Sequence, residues 1–506
     1  MLPWTIALLS IFAVRAREGL SRLRASGFTN YPKKGRPSVY SPWTQKRKPD
    51  LPNILLITTD QQRFDHLGLA GIRGIDTPHL DRLGSQGVHF NRAYTCCPIC
   101  TPARLALLTG QYPSVHRGYS IGVSVDPFPR PTIADLLSDA GNATALFGKA
   151  HFVRREDEER HFAGIDSPPA GFYRNNSGPF IGFDCAKLER RHTTNGVPGM
   201  HYRVFLEDAG VEYADWYPDV HGKHDHAQAG LWNIPAGFHD TNWVTDNPIQ
   251  WIRSMSRRSK DTPWFAWASY QDPHEPFVCP DPWFSTVRMN EVSPLEGHRD
   301  GEFDDKPPFY RQAYETGFGK DLSVQYGGAV PGNWRSFDDG HGIPSAFNRI
   351  DLTGKELDAL QATLGMVAFI DHGVGRIIAV LEDLGMLDNT IIVFTTDHGE
   401  IHGHHGLWHK GLFPYEDNQR IPLLIYGPGH VKARGTVQAL ANLVDVPATL
   451  LSFAGVEKPQ GMQGVDLGPI LDGSEDTVQD ATVIELEATQ KVYQQTMITD
   501  QYKIVL

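Results

Sequence analysis

A chain of 506 residues with 40% apolar content holds enough core-forming side chains to exclude wholesale disorder, and its length suits one large domain plus a smaller one. The 47 Lys+Arg against 59 Asp+Glu give a formal charge of −12, but positions 15–48 alone carry ten Arg and Lys against Glu18, which leaves the remainder near −21 and argues against nucleic acid as a partner. Five cysteines are too few for a disulfide scaffold.

Taken in chain order, residues 1–50 are predicted as a signal-like, basic and solvated lead. The apolar run Trp4–Val14 is too short to span a bilayer and resembles the apolar region of a signal peptide, although only the α-amino group precedes it as a positive charge. The expected location is therefore secreted or periplasmic, with the cytoplasm as the alternative. No later stretch reads as long and apolar enough to cross a membrane, so no span is expected.

A catalytic domain is predicted over 51–435. Asn53–Thr59 is a continuous apolar, β-leaning run, as a strand buried on both faces would be. Ala143–Phe147, Trp264–Tyr270, Thr390–Thr396 and Ile421–Tyr426 read alike. Helical patterns lie between them at Thr132–Ala140, Asp246–Ser256 and Lys355–Leu384, the last interrupted by Gly365 and Gly373. This alternation predicts an α/β fold with a large, mainly parallel sheet sandwiched by helices. Such sheets bind ligands beyond the carboxyl ends of their strands. Polar clusters follow four of these strands: Asp60-Gln61-Gln62-Arg63, Gly148-Lys149-Ala150-His151, Gln271-Asp272-Pro273-His274-Glu275-Pro276 and Asp397-His398-Gly399-Glu400. One shared active site explains them together. Residues 285–350, rich in Pro, Gly and charge, read as an insertion over that site. A smaller α+β domain is predicted over 436–506, with a helix at Leu443–Ala454 and strands at Thr482–Glu487 and Gln495–Ile498.

The segment Cys100-Thr101-Pro102-Ala103-Arg104, completed by Thr109-Gly110, has the form C-x-P-x-R-x-x-x-x-T-G. Cys96, Cys97 and Cys100 lack a matching second pair for a zinc site and the context of a redox motif; a buried, inert thiol is the ordinary reading, and it is kept for Cys96 and Cys97. The motif at Cys100 resembles the signature of the formylglycine-dependent sulfatases, of the alkaline-phosphatase-like superfamily. Gly141-Asn142-Ala143-Thr144 followed by Gly148-Lys149-Ala150-His151 is similar to that family's second signature, with Asn142 where an aromatic is usual. The likeness runs from about Pro52 to the chain's end. The family usually continues beyond the position of Ile504-Val505-Leu506, so a truncated C-terminal domain is expected.

The resemblance implies a sulfuric ester hydrolase whose Cys100 is converted to 3-oxoalanine (formylglycine) by a formylglycine-generating enzyme. A sulfate monoester is an anion with a poor leaving group, so hydrolysis needs a nucleophile, charge neutralisation and a proton for the leaving oxygen. The hydrated aldehyde at residue 100 is the implied nucleophile. Asp60, Gln61, residue 100, Asp397 and His398 are the implied ligands of a divalent cation, Ca²⁺ by the oxygen donors, with Mn²⁺ or another divalent metal admitted by His398. Asp397 is the implied base and Arg104 the group that holds the diol. Lys149 and Lys410 are the implied counter-charges of the sulfate, His274 the acid for the leaving oxygen, and His151 the base for the second hydroxyl. His405 and His116 are weaker candidates for substrate contact and support. A polar stretch with Asp215, His221, His224, His226, His239 and Asp240 suits substrate subsites, and Trp216, Trp232, Trp243, Trp283 and Trp334 suit stacking on sugar rings, which leans the substrate toward a sulfated carbohydrate. Two other readings stay open: a phosphonate monoester or phosphodiester hydrolase of the same superfamily, permitted by the Asp-Gln and Asp-His pairs, and a silent binding protein with unmodified Cys100.

Overall fold

The structure, a computed structural model, describes residues 51–121, 123–163, 168, 171–189, 199–211, 229–258, 262–293, 297–316, 355–489 and 492–506. The basic lead therefore lies outside the described residues, as do Asp215, Trp216, His221, His224, His226 and Trp334.

The main sheet is built from β1 (Asn53–Thr59), β2 (Val88–Tyr94), β3 (Ala143–Lys149), β4 (Cys185–Glu189), β6 (Trp264–Ser269), β8 (Thr390–Thr396), β9 (Leu423–Tyr426) and β10 (Gly435–Asn442). The two remaining short strands before β10, β5 (Ala229–Leu231) and β7 (Phe277–Cys279), pair with each other. The order across the main sheet is β10-β2-β9-β8-β1-β6-β3-β4. β1 pairs in parallel with both β6 and β8, so it lies at the centre. β9 runs antiparallel to β8 and β2, which makes the sheet mixed. β2 and β10 escape the continuous-apolar pattern because they flank the sheet's edge: β2 carries Asn91 and Arg92, both partly exposed, in mid-strand.

Successive side chains of β1 serve opposite layers, as the period of two requires. Ile54 and Leu56 join a core with the helices α2 (Cys100–Thr109), α3 (Ile133–Asp139) and α6 (Asp445–Phe453). Leu55 and Ile57 join another with α1 (Pro78–Gln86), α4 (Asp240–Arg258) and α5 (Glu356–Asp383). Each such side chain is worth about 1.5–3 kcal/mol of burial, which makes β1 a firm floor for the residues that follow it.

α4 begins at Asp240, six residues before the pattern suggested, and carries Pro248 inside. α5 is continuous through Gly365 and Gly373. Gly373 is there for close approach: a Cβ would lie 2.5 Å from Thr245 Oγ1 on α4. By length and composition α5 does qualify as a membrane span, which corrects the expectation that no stretch would; 78% of its most apolar window is buried inside the protein, and it shares a core with the sheet and α4.

The pattern that restarts near Asn442 first completes the main sheet, through β10 beside β2 and α6 against the first core. A separate small sheet follows: β11 (Ala481–Thr489), β12 (Val492–Thr499) and β13 (Lys503–Val505), antiparallel throughout. It is tied to the cysteine loop, since Glu485 N–H donates to the Cys96 carbonyl (2.8 Å) and Glu485 accepts from Ser114. Asn142, the departure from the second motif, is buried and donates to the Leu137 carbonyl at the end of α3 (3.1 Å), so a polar cap stands in for aromatic packing.

Candidate active site

Each cluster sits at the carboxyl end of its strand, as the topology demands. β1 delivers Asp60 and Gln61, β3 delivers Lys149 and His151, β6 leads to His274, and β8 delivers Asp397 and His398. Cys100 opens α2, every residue of which is buried. Gly148, just before Lys149, has φ 104°, and a Cβ there would meet the Ser269 carbonyl at 2.0 Å, so only glycine lets β3 end this close to β6.

Arg104, one turn into α2, is the hub. Its Nε donates to Asp397 Oδ2 (2.9 Å), one terminal nitrogen to Asp60 Oδ2 (3.1 Å), and the other to Ser269 Oγ (2.8 Å) and the Lys149 carbonyl (3.2 Å). All of these side chains are shielded from water, so the guanidinium joins the two carboxylates without competition. Lys149 Nζ pairs with the same Asp60 oxygen. Burial would raise the Asp60 carboxyl, but Lys149, His274, Arg104 and Lys410 together hold it well below the usual carboxylate range.

Cys100 Sγ lies 3.6 Å from Asp60 Oδ1 and 3.2 Å from His398 Nε2, and accepts from Lys410 Nζ at 3.1 Å. Burial, with Asp60 adding to it, pushes this thiol up to about 12 against the pull of the lysines. Lys410 Nζ also donates to Gln61 Oε1 (2.5 Å) and His274 Nε2 (2.8 Å). His274 Nδ1–H donates to the Glu275 carbonyl (2.7 Å), and burial lowers the imidazole's proton affinity well below its ordinary value. Asp397 Oδ1 accepts the N–H groups of Gln61 (3.1 Å) and His398 (2.9 Å). Asp60, Gln61, Cys100, Arg104, Lys149, His274, Asp397, His398 and Lys410 thus form one connected cluster. His151 stands two residues past Lys149, partly buried, in the left-handed region (φ 54°).

The donor set fits a divalent cation. Ligand atoms of Asp60, Cys100, Asp397 and His398 lie within 4.8 Å of one another. His398 Nδ1–H donates to the Gly399 carbonyl (2.9 Å), which leaves the Nε2 lone pair facing Asp60 and Asp397 at 3.8 and 3.7 Å. Two carboxylates, an amide oxygen and an imidazole suit Ca²⁺ or Mn²⁺.

Other candidates settle elsewhere. His405 stacks on Tyr415 and pairs with Glu302, tying the rim to the described part of the insertion. His116 accepts the Gly118 N–H and is buried. His239 and Asp240 join Asp272 in a second buried group, where Asp272 accepts from Thr241 (2.5 Å). Trp232 and Trp243 are core residues, which removes them as sugar platforms, while Trp283 is partly buried and stacks on Phe369. Three neighbours escaped assignment from the sequence: Glu275 and Glu400, both buried and bonded to Gln61, and His409, buried beside the two glutamates. Glu275 and Glu400 stand in the polar clusters after β6 and β8, but nothing in their spacing shows that they converge.

A family model described as Sulfatase matches residues 52–456. The chain is 29% identical over 446 residues to an arylsulfatase of Clostridium perfringens, covering 85% of this chain and 80% of that protein. It is 28% identical over 476 residues to an N-acetylglucosamine-6-O-sulfatase of Bacteroides thetaiotaomicron, covering 86% and 74%. Among solved structures, a phosphonate monoester hydrolase of Silicibacter pomeroyi superposes with a TM-score of 0.67 at 26% identity, covering 90% and 87%. A protein solved in complex with its substrate D-glucosamine-2-N,6-O-disulfate gives 0.64 at 22% identity, covering 90% and 88%, a likeness of fold.

Proposed function

Because the chain belongs to the sulfatase family, and is a sulfuric ester hydrolase, we propose that it cleaves the sulfate monoester of a sulfated carbohydrate, with residue 100 as the formylglycine nucleophile and one divalent cation beside it. The observation that carries the reading is the convergence on residue 100 of two carboxylates, one arginine, two lysines and two histidines from four strand ends, helix α2 and the Lys410 loop.

A bound cation supplies a positive centre that acidifies an oxygen ligand and offsets sulfuryl charge. Oxidation of Cys100 by a formylglycine-generating enzyme supplies, after hydration, an oxygen nucleophile where the thiol, at about 12, offers no thiolate at neutral pH. Asp397 is assigned the proton from that oxygen, and Arg104, bonded to both Asp397 and Asp60, is assigned to hold the two carboxylates in position. Lys149 and Lys410 neutralise the sulfate oxygens. His274 presents Nε2 to Lys410 while Nδ1–H is committed to Glu275, so the proton it passes to the leaving oxygen must sit on Nε2. An anionic substrate alongside raises its proton affinity. His151 is assigned the second proton of the hydrate.

The carbohydrate lean rests on the N-acetylglucosamine-6-O-sulfatase and on an ulvan-active sulfatase of Formosa agariphila, 26% identical over 431 residues. The phosphonate monoester hydrolase of Silicibacter pomeroyi keeps phosphonate or phosphodiester cleavage as the second reading. Release of sulfate from a panel of sulfated oligosaccharides, beside phenyl phosphonates and phosphodiesters, separates them. Exhaustive chelation is expected to abolish sulfate release and Ca²⁺ to restore it; undiminished release by metal-free enzyme overturns the cation. His274→Ala is expected to lower kcat about 10²–10⁴-fold on a sugar sulfate and far less on nitrophenyl sulfate, whose leaving group needs little protonation. An equal loss on both substrates would place His274 outside leaving-group protonation.

A further inference from the structure

The carboxylates of Glu275 and Glu400 are given no part in the chemistry above, yet both are buried against the site, with Glu275 Oε2 3.2 Å from His274 Nδ1. With His409 they bring potential ligand atoms within 4.8 Å of one another. That space already has an occupant: Gln61 Nε2 donates to Glu275 Oε2 at 2.7 Å and to Glu400 Oε2. An amide donates from one end and accepts at the other, whereas an ionised carboxylate only accepts and an ammonium only donates. Two glutamates on one side and Lys410 Nζ, 2.5 Å from Oε1, on the other therefore leave the Gln61 amide one orientation. The same ammonium donates to Cys100 Sγ, so Oε1 lies on the side of the amide that faces the donor it shares with residue 100. Gln61 itself is held in the left-handed region (φ 64°), a conformation that a glutamine keeps only where its surroundings enforce it. Glu400 is anchored in turn, its Oε1 accepting the N–H groups of His402 (2.8 Å) and His409.

We propose that Glu275 and Glu400 are positioning residues that lock the Gln61 side chain with its oxygen toward residue 100, which makes Gln61 a cation ligand. The proposal rests on the cation-dependent reading and extends it to two residues outside the ligand set. A flipped amide would present its NH₂ to the cation, and an NH₂ group offers no lone pair.

Glu400→Gln is the discriminating change. Its Oε1 still accepts from His402 and His409, while its new NH₂ faces Gln61 and pulls the amide round. Glu275→Gln does the same from the other side without touching those loop bonds, and serves if Glu400→Gln fails to fold. Full-length wild type, both variants, Gln61→Ala, and Gln61→Ala with each glutamate change are stripped with chelator and titrated with Ca²⁺ and with Mn²⁺ by calorimetry. Each single change is expected to weaken Kd about 10–100-fold. In the Gln61→Ala background the glutamate changes should add nothing, and melting in chelator should match the corresponding parent. Wild-type affinity in both glutamate variants, with weakened Gln61→Ala, overturns the positioning role alone. Additive losses overturn it too, since the carboxylates would then act without Gln61. Wild-type affinity in Gln61→Ala, or no binding by wild type, overturns the cation reading of Gln61 and the positioning with it.

Discussion

Cys100→Ala is expected to lower turnover by on the order of 10⁵-fold or more while the protein stays folded. The expectation follows from where the side chain stands. Sγ touches Asp60, His398 and Lys410, whereas the Ser269 hydroxyl, also bonded to Arg104, donates to the Lys149 carbonyl. Alanine at the start of α2 keeps the helix and removes only a small buried thiol, so the melting temperature should move little. The measurement pairs sulfate release with thermal unfolding, and adds the mass of the peptide containing residue 100 in the wild type. Near-normal turnover in the variant would sink the nucleophile. A wild-type peptide carrying only cysteine, in active enzyme, would sink the formylglycine.

Asp397→Asn should be nearly as damaging, for a different reason. Both Asp397 oxygens accept only from donors: Oδ1 from two backbone N–H groups, Oδ2 from Arg104 Nε. An amide NH₂ has nowhere to go without opposing one of them. The substitution also halves the anionic partnership of a buried guanidinium, and breaking such a pair costs about 3–5 kcal/mol. Turnover is expected to fall about 10³-fold or more, with cation affinity falling alongside. Denaturant unfolding, calorimetric metal titration and sulfate release read the three effects. A variant that binds Ca²⁺ and turns over as the wild type does would remove Asp397 from both roles.

How much of this was legible depended on burial symmetry. β1, β6 and β8 are covered on both faces, so their sequences are unbroken apolar runs and could be read directly. β2 and β10 pair beside the sheet's edge and carry polar side chains such as Asn91, Arg92 and Gln438, which hid them. β9 was visible as a strand, but its antiparallel direction is set by a connection whose path leaves no periodic trace. The ligand candidates were readable because each follows a strand or sits in a recognisable motif. The Glu275–Gln61–Glu400 arrangement was not, because its bonds join residues 214 and 339 positions apart and polar residues carry no pairing code. The tryptophans misled for a related reason: Trp232 and Trp243 look like sugar platforms in composition, and only packing shows them as core.

The long reach of these bonds also bears on how the protein comes to exist. Gln61 waits for Asp397, 336 residues later, and Cys100 for Lys410, 310 residues later. Contacts of such separation form late, because the loop entropy must be paid before they give anything back. The thiol of residue 100 therefore spends the early part of folding in water and loses access when β8 and the Lys410 loop close over it. During refolding of protein in which Cys100 is still unoxidised, protection of its thiol from a small alkylating reagent should rise together with cation binding, and trail the gain of helical signal, so residue 100 serves as a clock for the last stage of assembly.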